Sequence, residues 1–163
     1  MEKVLISACL LGKRVRYDGN ALSVFAKILD QWMTEGRVVS ICPEVDAGMS
    51  IPRAPAELSN GDGYDVWEGT ALVFEDAGTD VTTYFKKGAQ LALEMCRKHN
   101  VKVAVLADKS PSCGSSEIYD GSFTNKKIDG VGVTAALLKE NGVEVFSQHD
   151  IESANQALQR TSR

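Results

Sequence analysis

The stretch "VKVAVLADKSPSCGS", Val101 to Ser115, runs from a segment built for burial straight into one that can pack almost nothing. Val101 to Leu106 is aliphatic and β-branched, the composition of a strand covered on both faces. Beyond Ala107 the chain places serines on either side of Pro111, then Cys113 and Gly114. A turn accounts for the proline and the glycine. It does not account for a cysteine just beyond a buried strand.

On both sides of that stretch the same alternation of buried strand and amphipathic helix recurs. "VLISACLL" (Val4 to Leu11) is aliphatic enough for a first strand, with Gly12 opening its exit. Leu22, Phe25, Ile28, Leu29 and Trp32 recur at helical spacing, which predicts a helix over 21–33 with Gly36 as its stop. "RVVSICPE" (Arg37 to Glu44) predicts a second strand that finishes near Cys42, since Pro43 cannot donate to a central ladder. Residues 45–63 read as loop, and Tyr64 to Asp76 as one or two edge strands or a hairpin through Glu68 and Gly69.

A long helix is expected from Thr79 to Asn100, capped by Thr79 or Asp80, followed by the strand Val101 to Asp108. A helix over 130–142, a fourth strand Val143 to Ser147 and a short helix over 150–158 complete the pattern. The fold class expected is α/β: a single domain over residues 1–163 with an open, largely parallel, Rossmann-like sheet flanked by helices and a small β insertion. In such sheets sites lie beyond the carboxyl ends of the strands.

That rule gives the cysteines a common place. Cys9, Cys42 and Cys113 each fall at or just after the carboxyl end of a separate predicted strand, so they converge on one edge of the sheet. Cys96 instead shares a helical stripe with Phe85, Ala89 and Ala92 and reads as core. Zinc sites usually show paired cysteines or histidines, and neither pattern is present; His99 and His149 read as surface residues. An iron–sulfur cluster prefers thiolates and needs no local pairing. Three ligands on a four-iron cluster leave one iron open to a soft substrate sulfur. Glu44, two residues after Cys42, lies in the same mouth and suits proton transfer, and Ser110 is placed to donate a hydrogen bond there. Two other readings use the same residues: a non-catalytic metal or cluster carrier or sensor, and a metal-free enzyme with Cys113 as nucleophile.

Composition narrows the class further. Eighteen Lys and Arg against 22 Asp and Glu leave a net charge of −4 with no long run of one sign, which does not describe a surface that tracks nucleic-acid phosphates. The apolar N-terminal run is too short for a membrane span and lacks a secretory cleavage pattern, so a cytoplasmic protein is expected. In a reducing compartment its four cysteines are thiols, ligands or catalytic groups rather than disulfides. No phosphate loop or dinucleotide-binding glycine fingerprint is present.

The motifs "SACLLGKRVRYDG" (Ser7 to Gly19), "CPEVDAGMSIPRAPAE" (Cys42 to Glu57), "KSPSCGSSEIYDGSF" (Lys109 to Phe123) and "GVGVTAALLKENGVEVFS" (Gly130 to Ser147) together resemble the thiouracil desulfurases. The resemblance covers nearly the whole chain. It implies a [4Fe–4S] cluster held by Cys9, Cys42 and Cys113, with Glu44 and Ser110 taking part in catalysis and a small thiolated pyrimidine as substrate. Arg16, Tyr17, Asp18 and Arg53 are further pocket candidates. One departure stands out: relatives commonly carry two glycines after "CPEV", where this chain has Asp46 and Ala47, placing an extra carboxylate near the expected pocket.

Overall fold

The computed structural model describes residues 1–13, 24–50 and 54–161, and in it the first aliphatic run divides in two. Val4–Ser7 forms strand β1, and Ala8–Lys13 turns into a short helix, α1, where the sequence predicts strand as far as Leu11. The cause is lateral. β1 pairs in parallel with β2 (Val38–Ile41), and the register closes at Ser7 opposite Ile41 because Pro43 follows and opens the short helix α3 (Pro43–Asp46). Past that point the chain satisfies its backbone internally as helix, and Leu10 remains buried. Between the two strands runs helix α2 (Val24–Thr34), which buries Phe25, Leu29 and Trp32.

The region expected as an edge hairpin is built differently. Strands β3 (Ala56–Ser59) and β4 (Leu72–Glu75) pair antiparallel, but the chain between them folds as helix α4 (Gly63–Glu68). Asp62 accepts hydrogen bonds from the amides of Tyr64 (3.0 Å) and Asp65 (3.4 Å), and the Asp65 carboxylate accepts from the Asp62 amide at 2.9 Å. This reciprocal cap makes the helix the favoured local choice, and Gly69 ends it in the left-handed conformation.

Helix α5 (Thr82–Lys98) and strand β5 (Val103–Leu106) follow as expected. A second antiparallel pair, β6 (Glu117–Tyr119) and β7 (Lys127–Asp129), was not legible in the sequence. Helix α6 (Val133–Glu140), strand β8 (Glu144–Ser147), a 3₁₀ turn at Gln148–Asp150 and helix α7 (Ile151–Thr161) complete the described chain.

The main sheet has the order β2-β1-β5-β8 with every pair parallel. Alternate side chains of its strands serve opposite layers. Leu5, Val39, Ala104 and Leu106 pack with residues of α5 and α6, while Val4, Ile6, Val103 and Val105 pack with residues of α2 and α7. This is the open, parallel α/β sheet expected, with the two small antiparallel pairs added to it. The chain moves from β1 outward to β2 and then crosses to β5 on the other side of β1, so the sheet reverses its winding between β1 and β5. A crevice opens at the carboxyl ends of strands at such a point. Among the described residues no helix is long and apolar enough to cross a membrane.

Candidate functional site

All three cysteines singled out by sequence lie at that crevice. Cys9 sits in α1, two residues past β1; Cys42 directly follows β2; Cys113 lies in the loop after β5. Together with Ser7, Glu44 and Ser110 they line one cavity of about 300 Å³. Cys96 is elsewhere, buried on α5 against Ala92 and Val101, where burial pushes its thiol up to about 11. It is packing, and chemically inert at neutral pH.

The loop that carries Cys113 is tied down from three sides. The Ser110 hydroxyl oxygen accepts hydrogen bonds from the amides of Ser112 and Cys113, each at 3.1 Å, so its own proton is left to donate elsewhere. The hydroxyls of Ser112 and Thr134 meet at 2.7 Å, both fully buried. The amides that open α6, which have no partner within the helix, donate to this loop: Gly132 to the Gly114 carbonyl (2.8 Å), Val133 to Pro111 (2.9 Å) and Thr134 to Ser112 (2.8 Å). On the sheet side, the Ala107 amide donates to the Ser7 hydroxyl at 2.9 Å, and the Ser7 side chain also bonds to Cys113.

So close a dock requires glycine at residue 132. A Cβ there would meet the Pro111 carbonyl oxygen at 2.7 Å and the Ser112 carbonyl closer still. Gly132→Ala must displace either α6 or the Cys113 loop. The expected result is a loss of about 1–3 kcal/mol in stability, the usual cost of overpacking, measured as a lower urea midpoint, together with reduced iron incorporation. An unchanged midpoint and full iron content would show that the loop is not held this way.

Cys113 itself is 4% exposed. Burial above all, with the nearby Glu44 and Cys9, pushes its thiol up to about 12 against the opposing hydrogen bonds of Ser7 and Ser112. Burial of this kind favours the neutral thiol, the weaker nucleophile.

A second, larger cavity of about 650 Å³ shares Glu44, Ser110 and Pro111 with the first. Its far walls are Phe85 of α5, residues of and before β3, and Tyr119 and Asn125 from the β6–β7 hairpin. Glu57 of β3 fastens that hairpin, accepting from the amides of Gly121 (2.9 Å) and Phe123 (3.1 Å). Glu44 and Ser110 therefore stand where a cysteine-lined chamber meets a mixed polar and apolar one.

The remaining sequence candidates divide. Asp46 lies on neither cavity wall: its carboxylate accepts from the Cys42 amide at 3.3 Å and borders a groove beside Leu91 and Lys98 of α5. The extra carboxylate thus braces the Cys42 turn from outside. Arg16, Tyr17, Asp18 and Arg53 lie outside the described residues. Sequence reasoning missed Ser7, which falls inside the predicted strand Val4 to Leu11, and Gly132, whose requirement is a long-range contact.

Comparison with known proteins places the chain in a family. A family model described as 2-thiouracil desulfurase matches residues 4–150. The chain belongs to that family. Among its relatives, the uncharacterised protein YbbK of Bacillus subtilis (strain 168) is 43% identical over 150 residues, 91% of this chain and 97% of that one. A solved structure described as the [4Fe–4S]-dependent thiouracil desulfidase TudS superposes with a TM-score of 0.82 at 41% identity, covering 98% of this chain and 99% of that one.

The donor set in this desulfurase fits an iron–sulfur cluster. Cys9, Cys42 and Cys113 offer only sulfur, the ligand such clusters take. Among the described residues no group of three or more His, Cys, Asp or Glu is gathered tightly enough for a single metal ion. The 300 Å³ chamber they share has room for a group many atoms across, a water's share of liquid volume being about 30 Å³. Three thiols lining one chamber of that size fit such a cluster.

Proposed function

We propose that this desulfurase hydrolyses a thiolated pyrimidine, converting thiouracil and water to uracil and sulfide with no net electron transfer, and that Cys9, Cys42 and Cys113 hold its [4Fe–4S] cluster. The observation that carries this reading is the shared wall. Glu44 and Ser110 border both the cysteine chamber and the larger cavity, so a substrate in the larger one would point its sulfur past them toward the three thiols.

When bound on three thiolates, the cluster supplies an iron without a protein ligand, a Lewis acid with affinity for sulfur. The chain's own residues supply the rest. Phe85 and Met49 give the larger cavity an apolar face for a flat ring, and Tyr119, Asn125 and Lys109 give it polar groups to orient one. Glu44 takes a proton from the water that attacks the thiocarbonyl carbon and returns it to the departing sulfur. Ser110, its oxygen already bonded to the amides of Ser112 and Cys113, donates its proton to the substrate and so steadies the charge that develops there.

A hydrolytic reaction without electron transfer releases uracil and sulfide in equal amounts and needs no reductant. Anaerobically reconstituted protein given 2-thiouracil and no reductant should do so. Sulfide release that requires an added electron donor would overturn the hydrolytic mechanism. A stable cluster with no sulfide release from any thiolated pyrimidine would instead favour a carrier or sensor.

A further inference from the structure

One carboxylate beside the site takes no part in the chemistry above, yet organises the segment that carries it. Asp108, two residues past β5, turns Oδ1 toward four backbone amides: Lys109 at 3.0 Å, and Ser115, Ser116 and Glu117 at 3.3 Å each. Its Oδ2 accepts from the Ser116 hydroxyl at 2.8 Å. The donors lie at the two ends of a single loop whose middle holds Ser110 and Cys113. The loop is therefore drawn closed around the carboxylate that precedes it, as backbone amides close around an anion.

Two further observations show that this closure is specific. Lys109 holds a φ of +70°, a left-handed conformation that a non-glycine residue keeps only where its surroundings over-determine it. Asp108 is itself anchored from behind, its amide donating to the Gln148 side chain at 3.0 Å in the turn after β8. The carboxylate thus joins the end of a central strand to both ends of the loop.

We propose that Asp108 is a positioning residue for desulfuration: by clasping residues 109 and 115–117 it fixes Cys113 toward the cysteine chamber and Ser110 toward the substrate cavity. The inference rests on the roles given above to those two residues. Asp108 also borders the larger cavity, which raises the question of whether it could be a second proton carrier. Partial burial would raise its pKa, but the hydrogen bonds from Ser116, Lys109 and Glu117 outweigh that and hold it below the usual carboxylate value. A carboxylate already accepting from five donors is committed as an anion, and proton transfer is left to Glu44.

The test compares Asp108→Ala and Asp108→Asn with wild type. Cluster-free protein is treated with iodoacetamide, and modification of Cys113 and Cys96 is followed separately by mass spectrometry; the same proteins are then reconstituted for iron content, kcat and KM. Cys96 reports on global loosening, since it lies in the core on α5. Asp108→Ala should speed Cys113 modification at least about tenfold with Cys96 unchanged, and lower kcat by about 10²-fold, the order expected for a misplacement near 1 Å. Asp108→Asn keeps an oxygen for the four amides and should recover most of both effects. Equal acceleration at Cys96, or no acceleration at Cys113, would overturn the positioning role. Failure of wild type to desulfurate thiouracil would sink the functional reading alone, because the alkylation result does not depend on turnover.

Discussion

Cys113→Ala is expected to give a folded protein that assembles no stable cluster and releases no sulfide from thiouracil. Cys113 is the most buried of the three thiols on the chamber, and the loop bearing it is held by contacts that do not involve its sulfur: the Ser110 cap, the Ser112–Thr134 pair and the amides of α6. Alanine keeps those contacts and removes the ligand atom together with its hydrogen bond to Ser7. The stability change should therefore remain near the ordinary value of about 1 kcal/mol for a single substitution, while cluster absorbance and turnover disappear. Cys96→Ala supplies the contrast, because that thiol packs in the core and should be dispensable for both. Thermal melts beside visible absorbance after reconstitution separate the two outcomes. A Cys113→Ala protein with a normal cluster and normal rate would remove the residue from the ligand set.

Glu44→Gln is expected to do the opposite, leaving the cluster in place while turnover falls by about 10²–10⁴-fold, the usual contribution of a positioned proton-transfer group. Glutamine has nearly the same shape, so the substrate cavity and the fold should be preserved. Glu44 is also rigidly set. It follows Pro43 in α3, and that turn packs so closely on α5 that a Cβ at Gly88 would strike the Pro43 backbone. The loss should accordingly appear in kcat, with KM little changed, since a group that acts only on protons in the transition state contributes little to ground-state binding. Steady-state kinetics on reconstituted protein with matched iron content measure this directly. Full activity in the variant would exclude Glu44 as the proton shuttle.

The sheet was readable because its strands are short aliphatic runs bounded by proline, glycine or polar residues, and its helices carry clean stripes such as Phe25, Leu29 and Trp32. Convergence of Cys9, Cys42 and Cys113 followed from strand ends alone, without knowing the strand order. Where the reading stopped short, tertiary constraints decided the outcome. "VLISACLL" has no periodicity that separates strand from helix, and the break at Ser7 comes from the length of its neighbour β2. Tyr64 to Glu68 alternates imperfectly like a strand, but the reciprocal cap of Asp62 and Asp65 folds it as helix. The roles of Ser7, Asp108 and Gly132 were invisible for a simpler reason: each depends on contacts with residues from another element, or on a loop that closes back on itself. The larger cavity was hidden in the same way, since β3 and the β6–β7 hairpin meet across it from distant parts of the chain.

The proposed function requires that three cysteines on one chamber hold a cluster with which this chain removes sulfur from a thiolated pyrimidine. The most direct measurement is iron and acid-labile sulfide per chain after strictly anaerobic reconstitution, followed in the same sample by sulfide release from 2-thiouracil. The expected result is one four-iron cluster per chain, with a rate of sulfide release that rises in proportion to cluster content. Desulfuration at full rate by protein stripped of iron, or no cluster under conditions that load a known iron–sulfur protein, would contradict it.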